Sequence, residues 1–154
     1  MRCVGFEPFF NADSEILILG SFPSVKSREV NFYYGNGQNR FWRVLAFAYG
    51  EETPKNIEEK KSILSRHRIA LWDMVTECDI EGSMDKDIRD PVIADVPSLV
   101  AKMPCKKILC NGVTSYALLI KNYPHLASMT LKMPSTSPAN GRFVESVWIK
   151  ALTE

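Results

Sequence analysis

Apolar positions in this chain come in blocks rather than scattered singly. Ile16, Leu17, Ile18 and Leu19 form an unbroken aliphatic run that stops at Gly20. Such a run predicts a strand, Glu15–Gly20, buried on both faces as in a parallel sheet. Shorter runs predict further strands at Ile69–Trp72, Lys107–Cys110 and Met129–Met133. Helical segments alternate with them. Phe41–Tyr49 is an apolar helix stopped by Gly50. Thr53–Arg68 is amphipathic, with Ile57, Ile63 and Leu64 on one face, Thr53 as the expected N-cap and Pro54 in the first turn. Asp95–Met103 tolerates Pro97 in its first turn, Thr114–Tyr123 is capped by Thr114, and Arg142–Leu152 closes the chain. Residues 1–14 and Cys78–Pro91 read as irregular. Alternating strands and helices predict one α/β domain with a mostly parallel sheet.

The polar blocks fall at strand ends. A Gly- and Pro-punctuated loop runs from Gly20 to Asn39 and carries Arg28, Asn31, Tyr33, Tyr34 and Asn36. Long loops in compact domains are uncommon and usually functional. Open α/β sheets bind ligands beyond the C-terminal ends of their strands. The third strand ends in Asn111-Gly112 and the fourth in Pro134-Ser135-Thr136-Ser137-Pro138-Ala139-Asn140. In a parallel sheet these segments converge on one rim, bringing amides, hydroxyls and backbone N–H groups together. The converging set lacks a histidine, a cysteine with a partner base and a carboxylate pair. It suits a polar, hydrogen-bonding ligand better than covalent nucleophilic catalysis, and its Ser- and Thr-rich parts suit phosphate contacts. Asp73, closing the second strand, is a rival catalytic carboxylate. Neither a dinucleotide-binding nor a P-loop glycine pattern occurs.

Composition narrows the picture further. A formal net charge of +1 gives no global basic field, so any nucleic-acid contact rests on a local patch. Lys26, Arg28, Arg40 and Arg43 are the candidates for that patch. No apolar run approaches a membrane span, and the N-terminus has no signal-peptide core. The four cysteines form no C-x-x-C pair and the two histidines lie far apart. A zinc site is not indicated, and reduced thiols in a cytoplasmic protein are expected.

Gly-Ser-Phe-Pro-Ser at 20–24, Tyr-Tyr-Gly-Asn-Gly-Gln-Asn-Arg-Phe-Trp at 33–42, Asn-Gly at 111–112 and Ser-Thr-Ser-Pro-Ala-Asn at 135–140 resemble the uracil-DNA glycosylase superfamily, and within it the hypoxanthine-DNA (deoxyinosine) glycosylase branch. The resemblance runs in order over about residues 6–150. It implies a three-layer α/β/α domain on a four-stranded mostly parallel sheet of order 2-1-3-4. It implies excision of a deaminated base from DNA by a monomer, without metal or cofactor, leaving an abasic site.

Residue roles follow from the same resemblance. Asn39 matches the catalytic asparagine that positions water. Phe22 stands where other branches carry an activating Asn or Asp. Gly20, Ser21, Phe22, Tyr34, Asn111 and Ser135 match the base pocket, with Tyr34 stacking on the flipped base and Asn111 reading its edge. Pro23, Ser24, Arg40, Thr136, Ser137, Ala139 and Asn140 match the DNA-binding positions. Two departures stand out: Gly37-Gln38 replaces an expected proline and basic residue, and the wedge position is Ala139, too small to displace a base. Asn39 is neutral, so its role would be positioning, and the leaving base would have to depart almost unaided. Other readings remain open: a non-catalytic binder of damaged or single-stranded DNA, and a nucleoside-metabolising enzyme on the same scaffold.

Overall fold

A computed structural model describes residues 1–154. Strands β2 (Ile16–Gly20), β3 (Ile69–Asp73), β6 (Lys107–Asn111) and β7 (Thr130–Met133) form a sheet in the order β3-β2-β6-β7. Every pairing in it is parallel, with Gly20 in register with Asp73 and Asn111 with Met133. This is the expected 2-1-3-4 order, so the C-terminal strand ends share one rim.

The aliphatic runs are explained by burial on both faces. Ile16, Ile18, Ile69, Leu71 and Leu109 face one apolar cluster. Helices α2 (Phe41–Ala48), α3 (Ile57–Arg66) and α6 (Glu145–Thr153) complete that cluster with Phe41, Leu45, Ile63, Leu64 and Trp148. Leu17, Leu19, Ala70, Ile108 and Cys110 face the opposite cluster. There they meet Val96 and Leu99 of α4 (Val96–Val100) and Leu119 of α5 (Val113–Asn122). The result is the expected three layers.

Several local expectations are corrected. The first fourteen residues include a strand, β1 (Arg2–Val4), and the segment after β3 carries two more, β4 (Val75–Asp79) and β5 (Arg89–Ile93). These three form a small antiparallel sheet of order β1-β4-β5. Burial along these strands shows no clean alternation, and Pro91 disguises β5, which tolerates it because it lies at an edge. Within the 20–39 loop, α1 (Val25–Val30) is capped by Ser24, whose Oγ accepts from the Ser27 N–H at 3.1 Å. The cap of α3 is Asn56 rather than Thr53, with its Oδ1 accepting from the Glu59 N–H at 2.9 Å. Gly112 at φ 105°, not Thr114, precedes α5. No helix is long and apolar enough to cross a membrane.

Candidate active site

A cavity of about 520 Å³ opens at the C-terminal rim of the parallel sheet. Its lining comes from the ends of β2, β3 and β6, from the 33–39 segment, from the 135–140 loop after β7, and from residues 83–86 of the small sheet's connection. A volume of that order is typical of small-molecule sites.

The floor holds two buried polar groups without hydrogen-bond partners, Asp73 Oδ2 and the Tyr34 hydroxyl. Buried polar atoms are nearly always paired, so two orphans in one cavity leave hydrogen-bonding capacity that water or a ligand in the cavity can take up. Gly20 makes room for them. A Cβ there would lie 2.5 Å from Asp73 Oδ1 and 3.3 Å from the Tyr34 hydroxyl, so both groups flank one spot. Burial, and next the nearby Asp85 carboxylate, push the Asp73 carboxyl up to about 7. Burial likewise pushes the Tyr34 phenol up.

Tyr34 is held in an unusual backbone state, φ 53°, sparsely populated for an aromatic residue. The Trp42 indole N–H donates to the carbonyls of both Tyr33 and Tyr34 at 3.2 Å, and the Gly35 N–H donates to Ser27 Oγ at 2.9 Å. Phe41 stacks on one face of the Tyr34 ring at 4.2 Å between centroids. The aromatic cluster therefore fixes where the hydroxyl points. Tyr33 is core, its hydroxyl donating to the Glu7 carbonyl.

One wall is fully satisfied. Asn111 Oδ1 accepts from the Thr136 N–H and its Nδ2 donates to Thr136 Oγ1, both at 2.9 Å. The Arg40 guanidinium donates to the carbonyls of Ser137 (3.1 Å) and Asn140 (3.0 Å) and lies over the Phe143 ring. Ser135 Oγ accepts from the Ser137 N–H, and Asn140 Nδ2 donates to the Ser135 carbonyl. The 135–140 loop is thus a braced shelf. On the adjoining wall, Asn39 Oδ1 accepts from the Phe41 N–H at 2.9 Å, which fixes its amide at the start of α2. Opposite, the Ser21 hydroxyl donates to Asp85 Oδ1 at 2.5 Å.

A family model described as the uracil DNA glycosylase superfamily matches residues 7–151. The chain belongs to the uracil DNA glycosylase superfamily. It is 38% identical over 151 residues to a hypoxanthine DNA glycosylase of Methanosarcina acetivorans, covering 94% of each chain. It is 34% identical over 150 residues to a hypoxanthine DNA glycosylase of Methanosarcina barkeri, covering 95% of this chain and 93% of the other. A solution NMR structure from Methanosarcina acetivorans, described as a candidate uracil DNA glycosylase, superposes with a TM-score of 0.84 at 37% identity. That superposition covers 99% of this chain and 97% of the other.

On this superfamily scaffold, every expected pocket residue, Gly20, Ser21, Phe22, Tyr34, Asn39, Asn111 and Ser135, lines the one cavity. So do Pro23, Ser24, Thr136, Ser137, Ala139 and Asn140. Arg40 does not line it, because its guanidinium braces the shelf from behind. The expected basic patch is largely spent on the protein itself. Arg28 donates to the Gly82 and Ser24 carbonyls, Arg43 to the Gly37 carbonyl, and Lys26 pairs with Glu29. The expectation that no carboxylates meet at the rim is overturned, since Asp73 and Asp85 both line the cavity. Asp73 was legible as a strand-terminal acid. Asp85 carried no signal, because the small sheet that folds it back was hidden. His67 is half-buried, stacked on Tyr49 and paired with Glu51.

Proposed function

We propose that this chain is a DNA glycosylase that swings a deaminated base, hypoxanthine first and uracil second, into this cavity and hydrolyses its N-glycosidic bond. The supporting observation is the pair of unpartnered polar groups on the floor. Hypoxanthine and uracil share a lactam edge, a ring N–H beside a carbonyl. A neutral carboxyl at Asp73 can accept from that N–H and donate to that oxygen, and the Tyr34 hydroxyl adds a further donor. That the two relatives are named hypoxanthine DNA glycosylases supports placing the purine first.

The chemistry follows from where charge develops. A base within a duplex must be extruded, at a cost of a few kcal/mol that is least for a mismatched base. Departure of the base leaves positive charge on the sugar and negative charge on the base, spread onto its carbonyl oxygen. A donor already aimed at that oxygen stabilises the departing anion. Asp73, whose carboxyl burial raises to about 7, is such a donor in its neutral form. This revises the reading roles: Asp73 and Tyr34 face the base edge, and Asn111 holds the shelf.

Asn39 keeps the water-positioning role. Its hydrogen bond from the Phe41 N–H leaves a second lone pair on Oδ1, and the same bond fixes the amide's direction. That bond and a role in hydrolysis are therefore compatible, and the contribution is positioning rather than proton abstraction. Asp85, hydrogen-bonded to Ser21, places a carboxylate at the mouth where the sugar cation would form.

The deciding experiment is strand nicking of oligonucleotides carrying deoxyinosine or deoxyuridine, after alkaline cleavage of abasic sites. Excision of hypoxanthine ahead of uracil is expected. Both oligonucleotides left intact would end the proposal, and tight binding to an abasic analogue without excision would select a non-catalytic binder. Asn39→Ala should lose about a hundredfold or more in single-turnover rate with DNA binding retained. An unchanged rate would remove Asn39 from the mechanism.

A further inference from the structure

The cavity has two lips of different character. The 135–140 shelf presents Ala139, Pro138 and polar groups. The opposite lip is the connection between β4 and β5, which presents Met84. Among the residues lining the cavity, Met84 is the one large aliphatic side chain left exposed, at 49%. It belongs to none of the three apolar clusters, whereas Ile80 and Ile88 on either side of it pack against Phe22, Val75 and Cys78. Its exposure is therefore not the fraying of a loose loop. The backbone beneath it is tied down: the Arg28 guanidinium donates to the Gly82 carbonyl at 2.7 Å, the Val25 N–H to Ser83 Oγ at 2.9 Å, and the Ser21 hydroxyl to Asp85 Oδ1. The Asp87 N–H also closes a turn onto the Met84 carbonyl at 3.0 Å. A flexible apolar side chain thus stands on a rigid base at the mouth, with Lys86 beside it lining the same lip.

Proteins that unstack DNA insert apolar side chains, methionine among them, between base steps. We infer that Met84 enters the duplex as the target nucleotide leaves, filling the vacated space that Ala139 is too short to fill, while Lys86 contacts a flanking phosphate. This inference rests on the glycosylase reading and assigns the extrusion step to the 80–88 connection rather than to the 135–140 shelf. No bond is made or broken by Met84, so it is a positioning residue. Its effect belongs to extrusion and not to cleavage.

The test compares deoxyinosine opposite cytosine in a duplex with deoxyinosine in a single strand, under single-turnover conditions. Met84→Ala should lower the duplex-to-single-strand rate ratio at least tenfold, and Met84→Leu should restore it to within about threefold of wild type. A 2-aminopurine placed beside the target should brighten on binding wild type and the leucine variant, and stay quenched with the alanine variant. An unchanged ratio in Met84→Ala, whether both rates fall together or neither falls, overturns the inference. So does a wild-type enzyme that excises from single strands but never from duplex, an outcome that leaves the glycosylase reading standing. Failure of wild type on both substrates overturns the glycosylase reading itself.

Discussion

The floor and the shelf of the cavity are built from the same kinds of residue and handle hydrogen bonding in opposite ways. On the shelf, Asn111 and Thr136 satisfy each other twice, and Arg40 and Asn140 tie down the neighbouring carbonyls. On the floor, Asp73 Oδ2 and the Tyr34 hydroxyl are buried and make no hydrogen bond of good geometry within the protein, although the Asn111 side chain lies near enough to temper the rise of the Tyr34 phenol. An unpaired buried polar group costs about 1–3 kcal/mol. The fold tolerates that cost in one place and removes it in the adjacent one. The difference teaches where ligand binding is expected to contribute: paired groups hold the cavity's shape, and unpaired groups await an occupant. Sequence position alone does not draw that line, since Asp73 and Asn111 both end parallel strands.

Mutations on the two sides should separate accordingly. The largest effect is expected from Asp73→Ala, which removes the donor facing the leaving base. Excision should fall about 10²- to 10³-fold, the scale seen when one such donor is lost. A loss under tenfold would return the reading role to Asn111. Asn111→Ala strips two hydrogen bonds and strands the buried Thr136 groups, so chemical denaturation should show a stability loss of about 1–3 kcal/mol. Its effect on excision should come through DNA affinity, and a stability equal to wild type would show that the shelf does not depend on this clamp.

The Asp73 carboxyl is raised to about 7 in the folded chain, well above its unfolded value, so the native state holds the extra proton between the two. Its contribution to stability is therefore greatest at low pH and is lost as pH rises towards 7. Asp73→Asn should abolish that slope and raise the melting temperature at pH 8. Excision by wild type should decline above about pH 7 as the neutral form disappears. Asp73→Asn, whose amide offers one donor and one acceptor to the lactam edge, should keep activity within about tenfold and lose the decline. A variant as pH-dependent as wild type would locate the titration elsewhere.

The smallest effect is expected at Tyr34→Phe, which deletes the orphaned hydroxyl. Stability should rise by about 1 kcal/mol in thermal unfolding, while excision falls about tenfold. A loss of stability would mean that the hydroxyl is already satisfied in the folded protein.

Much of the fold was legible because its cause is local. Ile16–Leu19, Ile69–Leu71 and Ile108–Cys110 are continuous apolar runs because each strand is covered on both faces. That pattern alone yields a parallel sheet whose polar strand ends converge. Part of the site's membership was legible for the same reason: Gly20–Ser24, Asn111 and Ser135–Asn140 sit at or just beyond those ends, whereas the roles expected of Tyr34 and Asn39, which follow α1, came from the family resemblance. The small β1-β4-β5 sheet was not legible, because none of its short strands alternates cleanly between buried and exposed positions and β5 carries an internal proline.

What the sequence determined by itself was the parallel framework and the list of polar residues delivered to its rim. Which of those residues would be free to act was decided only in three dimensions. Asn111 and Arg40 look free in the chain and are tied into the 135–140 shelf. Asp73 looks like a strand-ending acid, and burial beside Gly20 and Tyr34 raises its carboxyl to about 7. Asp85 and Met84 reach the mouth only because an antiparallel sheet folds their loop back across more than sixty residues from the Gly20–Ser24 turn. Hydrogen-bond satisfaction and burial are properties of neighbours in space, and a linear pattern can bring candidates to the rim without saying which will find partners there.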